Sequence, residues 1–153
     1  MGILQNVFSR FSQTIKAYTG DAPLMQAAVS AASNVIVADG EVAGEEFETA
    51  LLGMRAHPIL EKGYDTLMLE QELYEGIARA RTRAGRVENL RRVAAIADRS
   101  EEQRQNVFLI AADVADHEGI SAIEGKALTE IAAALSVDKA ALLATAQALP
   151  SAS

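Results

Sequence analysis

From Pro23 to Ala38 the chain reads PLMQAAVSAASNVIVA, small and apolar almost all round, and the run ends on Asp39-Gly40. A helix at a protein surface keeps one polar face, whereas a helix apolar on every side must be enclosed on every side. This run therefore predicts a central helix with the rest of the chain wrapped round it. Composition agrees. Half the residues are apolar but only 5% are aromatic, with alanine abundant, a mixture that suits close helix–helix packing better than a sheet. Alternating strand patterns are scarce and prolines number three. An all-α, single-domain fold of seven or eight helices follows, large enough at 153 residues to bury roughly two-thirds of its unfolded surface.

The remaining apolar periodicities place the other helices. Residues 1–20 carry Ile3, Leu4, Val7, Phe8, Phe11, Ile15 and Tyr18 at helical spacing with Arg10 and Lys16 opposite, an amphipathic helix expected to dock on the domain. The domain proper spans 21–149, with 150–153 as a tail. A helix from about Gly44 to Arg55 presents Phe47, Leu51, Leu52 and Met54, and His57-Pro58 ends it, because proline disfavours a helical residue before it. A connecting stretch runs through Gly63. Helices are expected from Thr66 to Arg83 (Leu67, Leu69, Leu73, Tyr74, Ile77, Ala78) and from Val87 to Asp98 (Leu90, Val93, Ala94, Ile96), with Gly85 as the break between them. Ser100 and Gln103 have the spacing of a capping box ahead of the run Val107–Ala115. Ser121 caps a helix through Leu135, and Ser136-Val137-Asp138 opens the last one.

Two acidic turns punctuate this pattern. Asp39-Gly40-Glu41-Val42-Ala43-Gly44-Glu45-Glu46 joins the central run to the next helix, and 77 residues on Asp116-His117-Glu118-Gly119-Ile120-Ser121-Ala122-Ile123-Glu124 does the same. The unit helix–acidic turn–helix thus occurs twice. Asp39 precedes its apolar anchor Val42 by three residues and Asp116 precedes Ile120 by four, but the anchor-to-glutamate spacing, Val42 to Glu46 and Ile120 to Glu124, is four in both. Gly40 permits the sharp turn. Hard divalent cations such as Ca2+ or Mg2+ take oxygen ligands and calcium accepts irregular geometry. Asp39 and Glu46 are the candidate ligands of the first turn, supplemented by Glu41 or Glu45, and Asp116, Glu118 and Glu124 those of the second. Neither turn is an EF-hand loop, which places its glycine sixth and its glutamate twelfth. Ordinary capping accounts for the same residues, since glutamates favour a helix's first turn and Asp-Gly a helix end.

The segment Val35 to Glu46, VIVADGEVAGEE, resembles the first signature of the tellurite-resistance TerB-like proteins, and Ile110 to Glu124 with the helix Lys126 to Leu135 resembles the second. The resemblance spans about Leu24 to Leu143. It implies an all-helical fold with pseudo-twofold character, acidic divalent-metal sites, and a non-enzymatic role in bacterial resistance to tellurite or related stress beside membrane-associated protein partners. Asp39, Gly40 and Glu46 match the family's motif directly. Asp116 and Glu124 match less closely, because Asp116-His117 stands where the family has Asp-Gly.

Other features narrow the function classes. There is no cysteine, which excludes disulfides and thiolate metal sites. A net charge of −7 opposes general nucleic-acid binding. No run is long and apolar enough to span a bilayer, and the N-terminus lacks the basic start and apolar block of a secretory signal. The expected location is cytoplasmic, peripheral at the inner membrane where partners draw it there. No nucleophile sits in a recognisable setting and no phosphate loop occurs, so no enzymatic role is expected. Asp113 and His117 share a helix face as an ion pair or as transition-metal ligands, and His57 reads as a structural or exposed loop residue. Arg79, Arg81, Arg83, Arg86, Arg91 and Arg92 concentrate positive charge, expected to be solvated or paired with glutamates. A metal-free interaction module, using the N-terminal helix or this arginine-rich face, is the alternative reading.

Overall fold

The structure, a computed structural model, describes residues 21–38, 44–116 and 120–148. The expected N-terminal helix, the turn residues Asp39, Gly40, Glu41 and Val42, and His117 and Glu118 lie outside the described residues. Those described form eight helices and no strand: α1 (Ala22–Val37), α2 (Gly44–Ala56), α3 (Pro58–Gly63), α4 (Thr66–Ala80), α5 (Arg83–Ala94), α6 (Glu101–Ala115), α7 (Ala122–Leu135) and α8 (Lys139–Ala148).

As its sequence demands, α1 is central. It is buried without interruption from Ala27 to Ile36 and packs against α2, α4, α5, α6 and α7. Asp21 caps its start, accepting from Leu24 N–H and held by both terminal nitrogens of Arg99 at 2.8 and 3.1 Å. That clasp is the main reason the Asp21 carboxyl titrates below the usual carboxylate range. The second apolar run, α6, buries Val107, Phe108, Ile110, Ala111, Ala112, Val114 and Ala115 and touches α1, α2, α7 and α8. Small residues set the approach distances. A Cβ on Gly76 of α4 would collide with Ser33 Oγ of α1, and one on Gly53 of α2 would press on Ile110 of α6 at 3.3 Å.

Several local expectations are corrected. Residues 58–63 form the short helix α3, because Pro58 is well placed at a first helical position and His57 Nδ1 accepts from Ile59 N–H as its N-cap. Gly85 does not separate α4 from α5. Thr82 does, capping α5 by accepting from Gly85 N–H at 2.9 Å, and Gly85 lies where the two helices meet, with a Cβ there overlapping the Arg79 carbonyl. The Ser100 box is half made: Ser100 Oγ accepts from Gln103 N–H, while Gln103 Oε1 accepts from Arg99. The full box is at α7 instead. Leu52, Leu67 and Tyr74, expected inside, are exposed.

Candidate functional site

Both acidic turns lead into helices that rest on the same central pair. Helix α2 packs on α1 and α6, and α7 packs on α6 and α1. In each, the glutamate four residues after the apolar anchor sits in the first turn and is buried, Glu46 at 9% exposure and Glu124 at 6%. These are the only buried carboxylates among the described residues. Carboxylates are rarely buried without a compensating partner, because desolvating the charge is costly.

Glu124 finds such a partner in the backbone at the start of its own helix. Its Oε1 accepts from Ser121 N–H at 3.0 Å, and Ser121 Oγ accepts from Glu124 N–H at 3.1 Å, a complete capping box. The carboxylate retains lone pairs beyond the one the backbone uses. At the matching register of the first turn stands Ala43, which has no side-chain acceptor, so the serine half of such a box has no counterpart there. Glu45, beside Glu46, is exposed.

At the end of α6, Asp116 is exposed and its N–H donates to the carbonyls of Ala112 and Asp113. Asp113, one turn earlier and exposed at the surface, has its carboxyl pushed above the usual range, first by partial desolvation and then by the charge of Asp116. Two like charges one turn apart make this helix end electronegative. No group of three or more His, Asp or Glu side chains able to hold a metal exists among the described residues. The structure therefore brings Glu46 and Glu124 to equivalent places, leaves Glu45 and Asp116 at the surface, and describes neither Asp39 and Glu41 nor Glu118.

Sequence periodicity does not reveal two further constellations. One is a buried polar network at the junction of α1, α4 and α5. Asn89 Nδ2 donates to Asn34 Oδ1 at 2.9 Å and to the Gly76 carbonyl at 3.2 Å, Asn34 Nδ2 donates to the Arg86 carbonyl, and Arg79 Nε donates to Asn89 Oδ1 at 2.8 Å. Asn34 inside an otherwise apolar run was the available signal. Arg79 is thus structural, and burial, followed by the charge of Arg92, lowers its affinity for its proton. Arg86 donates to the Ala80 carbonyl, Arg91 and Arg92 pair with Glu88, and Arg92 also donates to Gln26. Arg79, Arg86 and Arg92 are therefore half-buried and held by partners in the fold, while Arg91 stays at the surface beside Glu88.

The other constellation is a cleft of about 240 Å³ between α2, the start of α3 and α6, lined by Gly53, Ala56, His57, Asn106, Ile110 and Asp113 among others. His57 is buried, and desolvation holds its imidazole below the ordinary value against the opposing charges of Asp21 and Glu102. Since Nδ1 accepts from Ile59 N–H, the neutral ring carries its proton on Nε2, which is buried and meets no acceptor among the described residues. The imidazole is built to stay neutral.

No family model matches the chain, and neither does any curated protein or any solved structure.

Proposed function

We propose that the chain is a TerB-like, non-enzymatic stress-response protein that binds a divalent cation at its acidic turns and acts through protein partners. The observation that carries this reading is the pair of buried glutamates. Glu46 and Glu124 occupy the same register after each turn, in first turns of helices packed on the same two central helices. A duplicated unit with pseudo-twofold character accounts for that correspondence, as does the resemblance of the two turn segments to the family's two signatures. Hard oxygen donors in a helix's first turn suit calcium or magnesium. Asp39 and Glu46 would be direct ligands, with Glu41 or Glu45 beside them. Asp116, Glu118 and Glu124 would form the weaker set, because Asp116-His117 stands where the family has Asp-Gly and the turn is one residue longer. The engagement of Arg79, Arg86 and Arg92 with partners across or along the helices gives the rival arginine-rich contact face little support.

The test is titration with calcium, magnesium, manganese and zinc, followed by melting temperature and calorimetry. The expected result is a cation-dependent rise in melting temperature that disappears in Asp39→Ala plus Glu46→Ala. A rise that survives this double substitution overturns the site assignment, and no rise with any cation overturns metal binding altogether.

A further inference from the structure

The outer face of α4 carries apolar side chains with nothing described above them. Leu67 is 71% exposed and Tyr74 63% exposed. With Gln71 between them they follow i, i+4, i+7 spacing, so they form one strip, opposite the face of Leu69, Leu73 and Ile77 that enters the core. The strip floors a shallow groove of about 390 Å³ rimmed by Glu70 and Glu75, and Tyr74 is steadied by the Phe47 ring at a centroid distance of 4.7 Å. Single exposed apolar residues are ordinary, but an ordered strip with an acidic rim is a surface awaiting an apolar, basic occupant.

The chain itself contains such a segment. Residues 1–20 hold Phe8, Phe11 and Tyr18, three of the protein's seven Phe and Tyr residues, and Leu4, Phe8, Phe11 and Ile15 repeat the i, i+4, i+7 spacing. The segment has no acidic residue. Its Arg10 and Lys16 contribute +2 to a net charge of −7, which leaves −9 on the remainder.

Connectivity favours an intramolecular fit. Gln26 bonds Glu72 and Ser33 lies under Gly76, so α1 and α4 run in the same direction with their starts at one end. Asp21, where the segment joins α1, is near Tyr64, two residues before α4: burial raises that phenol's pKa and the Asp21 charge raises it further. The five residues between Ile15 and Asp21 reach about 17 Å when extended, enough to pass round a helix roughly 10 Å across. Tethering at such short range gives a high effective concentration.

We propose that residues 1–20 dock on the outer face of α4 of their own chain, with the Leu4–Phe8–Phe11–Ile15 stripe on Leu67 and Tyr74, and Arg10 and Lys16 against Glu70 and Glu75. The groove is then an internal docking site, closed to other partners until the segment leaves. This holds whether or not the acidic turns bind metal.

The cysteine-free chain allows a direct measurement. Spin labels at Ser12→Cys and Ala78→Cys, both in the full-length protein, report the separation of segment and helix. The expected result is one narrow distance below about 30 Å, as two packed helices of this size dictate, unchanged when labelled protein is diluted tenfold with unlabelled. Adding Leu67→Lys and Tyr74→Lys, both at the surface and so compatible with folding, is expected to broaden it. Charge reversal at Glu70 and Glu75 is expected to broaden it at low salt. Trypsin should cut after Arg10 and Lys16 at least tenfold faster in the Leu67→Lys, Tyr74→Lys protein. A broad distribution in the parent chain, a narrow one that vanishes on dilution (docking on a second copy), one that appears only with anionic phosphatidylglycerol vesicles, or indifference to the Leu67 and Tyr74 changes overturns the proposal.

Discussion

The starts of α2 and α7 bury a glutamate at the same register, and at α7 a side-chain cap gives the reason. At α7 the carboxylate of Glu124 and the hydroxyl of Ser121 satisfy each other's backbone donors. At α2 the serine position is Ala43, and two glutamates, Glu45 and Glu46, stand in the first turn. On the proposed reading the first turn is the better cation site, because Asp39-Gly40 keeps the family's Asp-Gly where the second turn has Asp116-His117.

The comparison breaks most visibly with added cation. At a hundred times its dissociation constant a ligand adds about 2.7 kcal/mol, or roughly 5–10 °C in melting temperature for a domain of this size. Glu46→Gln should abolish most of that rise and Glu124→Gln only a minor part. An equal loss from both substitutions, read by differential scanning calorimetry, would mean that the turns are not specialised.

Without cation the ranking inverts. Glu124→Ala removes the acceptor for Ser121 N–H and should cost about 1–2 kcal/mol in urea denaturation. Ser121→Ala should cost about 1 kcal/mol. In the other direction, Ala43→Ser supplies the first turn with the missing hydroxyl and should stabilise by about 0.5–1 kcal/mol. Absence of that gain would show that the register match between Ala43 and Ser121 does not extend to geometry.

Titration separates the flanks of the two turns further. His57, which ends the α2 side, is held below its ordinary value, so the unfolded chain binds its proton more readily. Stability should therefore fall as pH drops below about 6.5, and His57→Asn, which keeps a capping acceptor, should flatten that slope. Asp113, on the α6 side, is held above its ordinary value. The folded state then retains its proton longer, and stability should fall as pH rises through that group's folded titration. Asp113→Asn should remove the slope and stabilise at neutral pH by roughly 0.5 kcal/mol or less, since solvent screens an exposed carboxylate. Guanidinium melts between pH 4 and 8 would measure both slopes.

Much of this architecture was legible in one dimension. The small, almost all-round apolar character of Pro23–Ala38 required a central helix, and α1 is one. The period of Val107–Ala115 required a second, and α6 is one. Where periodicity failed, a short-range signal was outweighed. Gly85 looked like a break because glycine weakens helices, but the Thr82 cap and the close meeting of α4 and α5 decided its place. His57-Pro58 does stop α2 at Ala56, and the same pair also starts α3, where the sequence pattern showed only a connecting stretch. Tyr74 and Leu67 fit an apolar helical pattern, but α4 turns a narrower face to α1 than that pattern allowed. The arginine cluster and its pairing with a glutamate were plain in sequence, since Glu88 lies three and four residues from Arg91 and Arg92. The bonds of Arg79 to Asn89 and of Arg86 to the Ala80 carbonyl were not, because they join α4 to α5.

By itself, then, the sequence determined the helical class, the central helix, the two acidic turns and the equal spacing from anchor to glutamate. These follow from periodicity and local backbone chemistry, which act over a few residues. Only the tertiary structure decided that Glu46 and Glu124 are buried, that Asn34 meets Asn89 across 55 residues, and that Leu67 and Tyr74 remain outside. Burial depends on which faces of distant helices meet, and no local pattern carries that information.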